Sequence, residues 1–333
     1  MKIVYLDSFT VNPKEINLEI FKDFGDFKMY DRTTATQVVE RAQDADILLV
    51  NKVKITADIL EKLPKLKYIG VTATGYNIVD VQAAAAKGIT VTNARNYSSM
   101  SVAQQTFAMI LAFSNRLAEH DNPKKWASLP DFCYYDYTIT ELEGKVLGLL
   151  GFGDIGKAVA RIGMAFGMQI IVHKKTPFAE PIAGITEVSQ DELFSKSDYL
   201  SLHCPLTPEN EGLVNINQIS KMKSSAVLIN TARGGLINEN DLSDALNAKR
   251  IAGAYLDVLT EEPPKPSNPL LISKNCKVSP HIAWASLEAR QKLIQIVYDN
   301  IKSFLAGSPQ NVVKQKIGLK AFALRPIHYC VLV

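Results

Sequence analysis

Residues 145–156 read KVLGLLGFGDIG, and no other stretch limits the fold so tightly. Positions 146–150 are an apolar run between a charged start and a glycine stop, the pattern of a buried strand. Beyond the glycines, Ala158, Val159, Ile162 and Phe166 recur at helical spacing, Gly167 stands where a C-terminal cap belongs, and Ile170 to Val172 open another strand. Strand, turn and helix around Gly151-Phe152-Gly153-Asp154-Ile155-Gly156 form a dinucleotide fingerprint. In it the first glycine permits a tight turn, the second admits a pyrophosphate to the backbone, and the third lets helix and strand pack closely. The helix N-terminus then faces the phosphate charge. A glycine-rich turn that binds nothing is the plainer alternative, and the strand, helix and strand around it weigh against that.

With 333 residues the chain has room for two domains, each with its own core. It is 47% hydrophobic and carries a formal net charge of +3, without a lysine- or arginine-rich run, so a nucleic-acid partner is not expected. No apolar run is long enough to cross a bilayer, and MKIVYLDSFT at the N-terminus lacks a signal-peptide core. A cytoplasmic protein without membrane contact is expected. Cys133, Cys204, Cys276 and Cys330 have neither paired nor metal-ligand spacing, so they read as reduced thiols and no metal site is expected.

Upstream of the fingerprint, short apolar strands at 3–6, 27–30, 46–50, 68–72 and 89–92 alternate with helical patterns at 34–42, 56–63 and 79–87. Such alternation predicts a doubly wound parallel sheet. A long amphipathic helix follows at 98–117, then an aromatic, loop-like segment at 121–137, and after the dinucleotide unit a second long helix at 286–305, stopped by Gly307-Ser308-Pro309. The chain therefore leaves a first domain, builds a second and returns. The fold class is α/β with two doubly wound parallel-sheet domains: a flavodoxin-like substrate domain from 1–98 plus 286–313, and a Rossmann NAD(P)-binding domain at 99–285. A cleft between them is the expected active site, and 314–333 form a tail of unassigned role.

Within the second domain each strand ends in polar or charged residues: His203-Cys204-Pro205, Thr231-Ala232-Arg233, Asp257 with Glu261-Glu262, and Pro280-His281. Strand ends of an open α/β sheet share one crevice, so Arg233, Glu262 and His281 can converge. Hydride transfer between an alcohol and a ketone needs a proton donor or acceptor at the oxygen, and histidine, with an ordinary pKa of ~6.5, can be either. His281 is the candidate, Glu262 the carboxylate that fixes its tautomer, and Arg233 the fork that polarises the carbonyl and clamps a carboxylate. Singly, Glu262 could be a solvated acid and His281 a satisfied core histidine. The turn at 73–77, small and polar after the fourth strand, could hold a carboxylate on free N–H groups or be an ordinary turn. Lys52, after the third strand, could face the substrate or merely solvent.

At these residues the sequence resembles the D-isomer-specific 2-hydroxyacid dehydrogenases, and within them the glycerate dehydrogenases or hydroxypyruvate reductases. The matching segments include VTATGYNIVD at 71–80, SVAQQTFA at 101–108, PDFCYYD at 130–136, LLGFGDIGKAVA at 149–160, HCPLTPEN at 203–210, INTARGGLINE at 229–239, LDVLTEEP at 256–263 and SPHIAWAS at 279–286. The resemblance implies a catalytic trio of Arg233, Glu262 and His281, and a substrate carboxylate on Thr74 and Gly75 with Trp284 nearby. It implies cofactor contacts from Thr106, from Gly151 through Gly156, from His173, Lys174 and Lys175, from His203, Cys204 and Pro205, from Thr231, Ala232 and Arg233, and from Asp257, His281 and Ala283. Asp257 would hold the nicotinamide carboxamide. The family is also typically a homodimer formed through its nucleotide-binding domains.

Where the family carries an acid for the adenosine ribose, this chain has Val172-His173-Lys174-Lys175. A carboxylate would repel a 2′-phosphate and two lysines attract one, which favours NADPH; left solvated, the lysines would leave NADH accepted. The approach to Trp126 is short for the family, which bears on the dimer arm. Glu262 argues against a formate dehydrogenase, which has glutamine there. The expected activity is reduction of a small 2-keto acid, hydroxypyruvate or glyoxylate, to the D-2-hydroxy acid. The rival reading is an NAD(H)-sensing regulatory protein, like the corepressors that share the trio and Trp284; a phosphite or phosphoglycerate specialist would differ only in its substrate pocket.

Overall fold

The computed structural model describes residues 1–12 and 14–313, so the expected tail lies outside the described residues. The chain divides into two compact units, one of Met1–Arg95 with the residues from Leu293 on, the other Asn96–Lys292.

In the first unit β1 (Lys2–Tyr5), β2 (Asp26–Met29), β3 (Ile47–Val50), β4 (Tyr68–Val71) and β5 (Thr90–Asn93) lie in the order β2-β1-β3-β4-β5, every pair parallel. Strands β3 and β4 are buried along their whole length, which is why they read as unbroken apolar runs rather than as alternation. Edge strand β2 carries Asp26, Lys28 and Met29 exposed. The order reverses between β1 and β3, whose C-terminal ends therefore flank a crevice. After the helix Leu287–Leu305 the chain returns to this unit and lies against β5, where Val312 bridges Thr92 and the Val313 N–H donates to the Val91 carbonyl at 2.9 Å.

The second unit holds β6 (Val146–Leu150), β7 (Gln169–His173), β8 (Ile185–Glu187), β9 (Tyr199–Leu202), β10 (Val227–Asn230), β11 (Gly253–Leu256) and β12 (Cys276–Val278) in the order β12-β11-β10-β9-β6-β7-β8, again all parallel. Here the order reverses between β6 and β9, beside the glycine turn. The helix Asp154–Ala165 buries Ala158, Val159, Ala160 and Gly163. Gly163 is required there, because a Cβ would stand 2.8 Å from Leu147 and 2.9 Å from Ile170. Both units are thus the doubly wound parallel sheets expected of the sequence.

Some local expectations are corrected. The long helix after the first sheet is Ser99–Asn115 rather than a helix to 117, because Arg116 turns left-handed at φ 52° with its guanidinium over the Phe113 ring. The segment 121–137 is not all loop: Pro123–Ala127 form a short helix, started by the Asn122 side chain accepting from the Lys125 N–H and by proline at the first position. Strand β8 and the helix Gln190–Lys196, which opens with a Ser189/Glu192 capping box, escaped the sequence reading. No helix among the described residues is long and apolar enough to cross a membrane, and Cys133, Cys204 and Cys276 are free thiols.

Candidate active site

The glycine turn shows three different demands on its three glycines. Gly151 sits at φ 96°, and a Cβ on it would approach the His203 and Cys204 backbone to 2.8 Å. A Cβ on Gly156 would meet the Gly151 carbonyl at 2.7 Å. One on Gly153 would meet no protein atom within 4 Å. The outer glycines are therefore fixed by the fold, whereas the middle one leaves open a space that a pyrophosphate would need to approach the backbone at the helix N-terminus. These residues fit a dinucleotide.

At the end of β7 the His173 ring bonds the Val188 carbonyl at 3.0 Å, and the Lys174 ammonium lies 4.3 Å from the centre of the Phe178 ring. Phe178 in turn stands edge-on to Phe152 of the glycine turn at 5.3 Å. Glu209, in the loop after β9, is held below the usual carboxylate range chiefly by a hydrogen bond to Thr207, with a smaller contribution from the charge of Lys175. His203 follows β9 and shares a 2.9 Å hydrogen bond with Ser201 Oγ; burial pushes its pKa down to about 4, so the ring is neutral. Burial pushes the neighbouring Cys204 thiol up. Pro205 is exposed, its carbonyl accepting from Asn210.

The strand-end loops that follow are each pinned from behind by a polar side chain, buried in the case of Asn230 and Asp257 and half-buried in the case of Glu239. Asn230, fully buried at the end of β10, accepts from the Ala232 N–H at 2.9 Å and donates to the Arg233 carbonyl at 2.9 Å, shaping the turn that presents Thr231, Ala232 and Arg233. Asp257, 1% exposed after β11, accepts from Ser279 Oγ and from the N–H groups of Ile282 and Ala283 at 3.0 and 2.7 Å. It thereby holds the loop that carries His281. Glu239 accepts from the Thr260 N–H and Asn268 Nδ2, both at 2.7 Å, fixing the loop before Glu262.

On this frame His281 Nδ1 lies 2.6 Å from Glu262 Oε2, while Glu262 Oε1 accepts from the Leu259 N–H. The pair is partly open, with side chains 31% and 35% exposed. That geometry commits Nδ1 to the carboxylate and leaves Nε2 for chemistry. Arg233 is exposed, with Nη1 on the Ala232 carbonyl. The next residue, Gly234, packs so closely on the Glu262 loop that a Cβ would fall 1.9 Å from the Leu259 carbonyl carbon. Sequence reasoning missed Tyr97, which stands edge-on to half-buried Trp284 at 6.3 Å and whose hydroxyl is pushed up to about 12 by burial, with Arg233 pulling slightly the other way. Thr106 is fully buried behind Thr231, its hydroxyl bonded to the Val102 carbonyl and 3.3 Å from Thr231 Oγ1. Ala283 is 3% exposed, with its N–H on Asp257 and its carbonyl accepting from Ser101 Oγ.

Lys52, Thr74 and Gly75 belong to the first unit, at the ends of β3 and β4. Lys52 and Thr74 are exposed and Gly75 half-buried, and the Thr74 carbonyl accepts from Asn93 Nδ2 at 2.7 Å.

The profile of the D-isomer specific 2-hydroxyacid dehydrogenase NAD binding domain matches residues 107–283. A hydroxypyruvate reductase of Blautia hydrogenotrophica is 43% identical over 323 residues, 95% of this chain and 100% of that protein. A glycerate dehydrogenase of Methylorubrum extorquens is 40% identical, over 94% of this chain and 99% of its own. The structure of an acyclic imino acid reductase in complex with NADPH and D-Arg superposes with a TM-score of 0.82 at 34% identity, covering 94% of this chain and all of that one.

Proposed function

Since the chain belongs to the D-isomer-specific 2-hydroxyacid dehydrogenases, nicotinamide-dependent oxidoreductases acting on the CH–OH group, we propose that it reduces hydroxypyruvate or glyoxylate to the D-2-hydroxy acid. The observation that carries this reading is the 2.6 Å contact between His281 Nδ1 and Glu262 Oε2 on a loop beside Arg233. The relatives named for hydroxypyruvate reductase and glycerate dehydrogenase, matched over nearly their whole length, support the substrate class.

When bound, the nicotinamide supplies the hydride. The chain's own residues supply the rest. His281 Nε2 gives its proton to the carbonyl oxygen as the alkoxide forms, and Glu262 stabilises the imidazolium from the opposite nitrogen before that transfer. Arg233 polarises the same carbonyl with its planar fork. In the first unit, the Lys52 ammonium and the N–H groups of the Thr74-Gly75 turn are the proposed binders of the substrate carboxylate. Oxidation of the hydroxy acid runs by the same residues in reverse.

NADPH is the proposed preferred cofactor. The second strand of the dinucleotide unit ends without an acid, and Lys174 and Lys175 stand in its place. NADPH in the similar imino acid reductase supports the chemistry. A homodimer, located in the cytoplasm, completes the reading: Leu117, Trp126, Phe132 and Tyr135 are all more than half exposed on one segment of the second unit, an apolar surface that a second copy would cover. The test is the decay of reduced-nicotinamide absorbance with hydroxypyruvate or glyoxylate, with NADH and NADPH in parallel. Turnover, faster with NADPH, is expected. Tight cofactor binding without turnover across a panel of 2-keto acids would favour a regulatory protein instead.

A further inference from the structure

The switch point of the first sheet contains a buried charge that the reaction does not use. Asp7 follows β1 and is only 7% exposed. Its Oδ1 accepts from the Asn51 N–H at 2.8 Å, and its Oδ2 accepts from the N–H groups of Lys52 and Val53 at 2.5 and 3.0 Å. Three successive backbone donors after β3 thus wrap one carboxylate, an anion nest whose anion is part of the chain. Burial raises the Asp7 pKa and the three N–H groups lower it by less.

The same contacts continue along the strand ends. Asn51, 3% exposed, donates from Nδ2 to the Thr72 carbonyl at 2.6 Å; Tyr5 donates to Thr72 Oγ1; and Asn93 holds the Thr74 carbonyl. Asp7, Asn51, Thr72 and Asn93 stand at the C-terminal ends of β1, β3, β4 and β5, all buried and joined by backbone or side-chain hydrogen bonds. A sheet needs none of this to pair its strands. Exposed Lys52 and Thr74, with half-buried Gly75, are thus mounted on buried, hydrogen-bonded strand ends.

We propose that Asp7 is a positioning residue for the substrate carboxylate: it fixes the loop from which Lys52 reaches the acid. This rests on the assignment of Lys52 to carboxylate binding. An amide at position 7 keeps the shape but offers one acceptor where three N–H groups converge, and its own NH₂ would face a donor. The loop then relaxes and Lys52 loses its aim.

The variants Asp7→Asn, Lys52→Ala and the double mutant test this. Their readouts are KM for the 2-keto acid reduced fastest, the affinity for oxalate measured by quenching of bound NAD(P)H fluorescence, and KM for the cofactor. Asp7→Asn should weaken keto-acid and oxalate binding about tenfold, on the order of 1.4 kcal/mol. Cofactor KM should stay within about twofold, because the fingerprint lies in the other unit. The double mutant should bind no more weakly than Lys52→Ala alone, since both changes remove one contact. Multiplying effects, unchanged oxalate binding, or an equal loss for cofactor would overturn the proposal. Asp7→Glu, which keeps the charge but pushes the loop outward by one methylene, stands in if the amide variant does not fold, with the same expectations. If the wild type binds oxalate without turning over any keto acid, the reductase reading fails while the positioning test proceeds; a wild type that neither turns over a keto acid nor binds oxalate ends both.

Discussion

His281 is held at φ 54°, a left-handed conformation that costs a residue with a Cβ about 1–2 kcal/mol. Its N–H donates to the Asp257 and Ser279 carbonyls, and the Asp257 carboxylate gathers the two N–H groups that follow, so several hydrogen bonds hold the loop in this shape. Strain maintained by a buried carboxylate at a candidate acid-base residue is consistent with a ring that must point one way. His281→Gln and Arg233→Ala should each lower kcat/KM by a factor of about 10² or more with Tm little changed; near-normal turnover in either variant would remove it from the mechanism. Glu262→Gln removes the charge proposed to stabilise the imidazolium, so the pH above which reduction slows should move down, and an unmoved profile would make the carboxylate a spectator. His203 titrates in the opposite sense from a paired histidine. Its pKa of about 4 lies below the unfolded value, so the unfolded chain binds the extra proton and stability falls as pH drops from ~6.5 toward 4. The loss should approach roughly 3 kcal/mol, read as a falling urea midpoint, and His203→Gln should flatten that slope.

At the scale of elements, three glycines in one turn separate fold from binding. Gly156→Ala forces a methyl against the Gly151 carbonyl and should unfold or strongly destabilise the second unit, whereas Gly153→Ala meets no protein atom. Gly153→Ala should therefore keep Tm within a few degrees while raising cofactor KM; equal damage to both quantities would mean that the open space is not where the pyrophosphate goes. The sheets themselves were legible because buried parallel strands leave unbroken apolar runs, and Arg233, Glu262 and His281 were legible because each follows such a run. β8 was not: its three residues Ile-Thr-Glu are mostly exposed and carry no periodic signal. Asp7, Asn51 and Asn93 also follow apolar runs, but their partners lie on other strands, 44 residues on for Asp7 and Asn51, and nothing local announces the pairing. The left-handed turn at Arg116 ends a helix without a glycine, and the guanidinium that lies over the Phe113 ring there has no local sequence signature.

For the whole molecule, the exposed aromatic segment of the second unit predicts self-association. Phe132 is 89% and Tyr135 75% exposed. Sedimentation equilibrium should give twice the mass of one chain, and Phe132→Asp with Tyr135→Asp should return it toward one; a wild type that stays monomeric at micromolar concentration would remove the dimer. The path of the chain has a different consequence, in time rather than space. The second unit is one continuous stretch, Asn96–Lys292, while the first is begun by residues 1–95 and finished only when 311–313 reach β5. On the ribosome, where about 5–20 residues are added each second, the half that emerges first must wait, with the β5 edge uncovered, until the half made after it has already had the chance to fold.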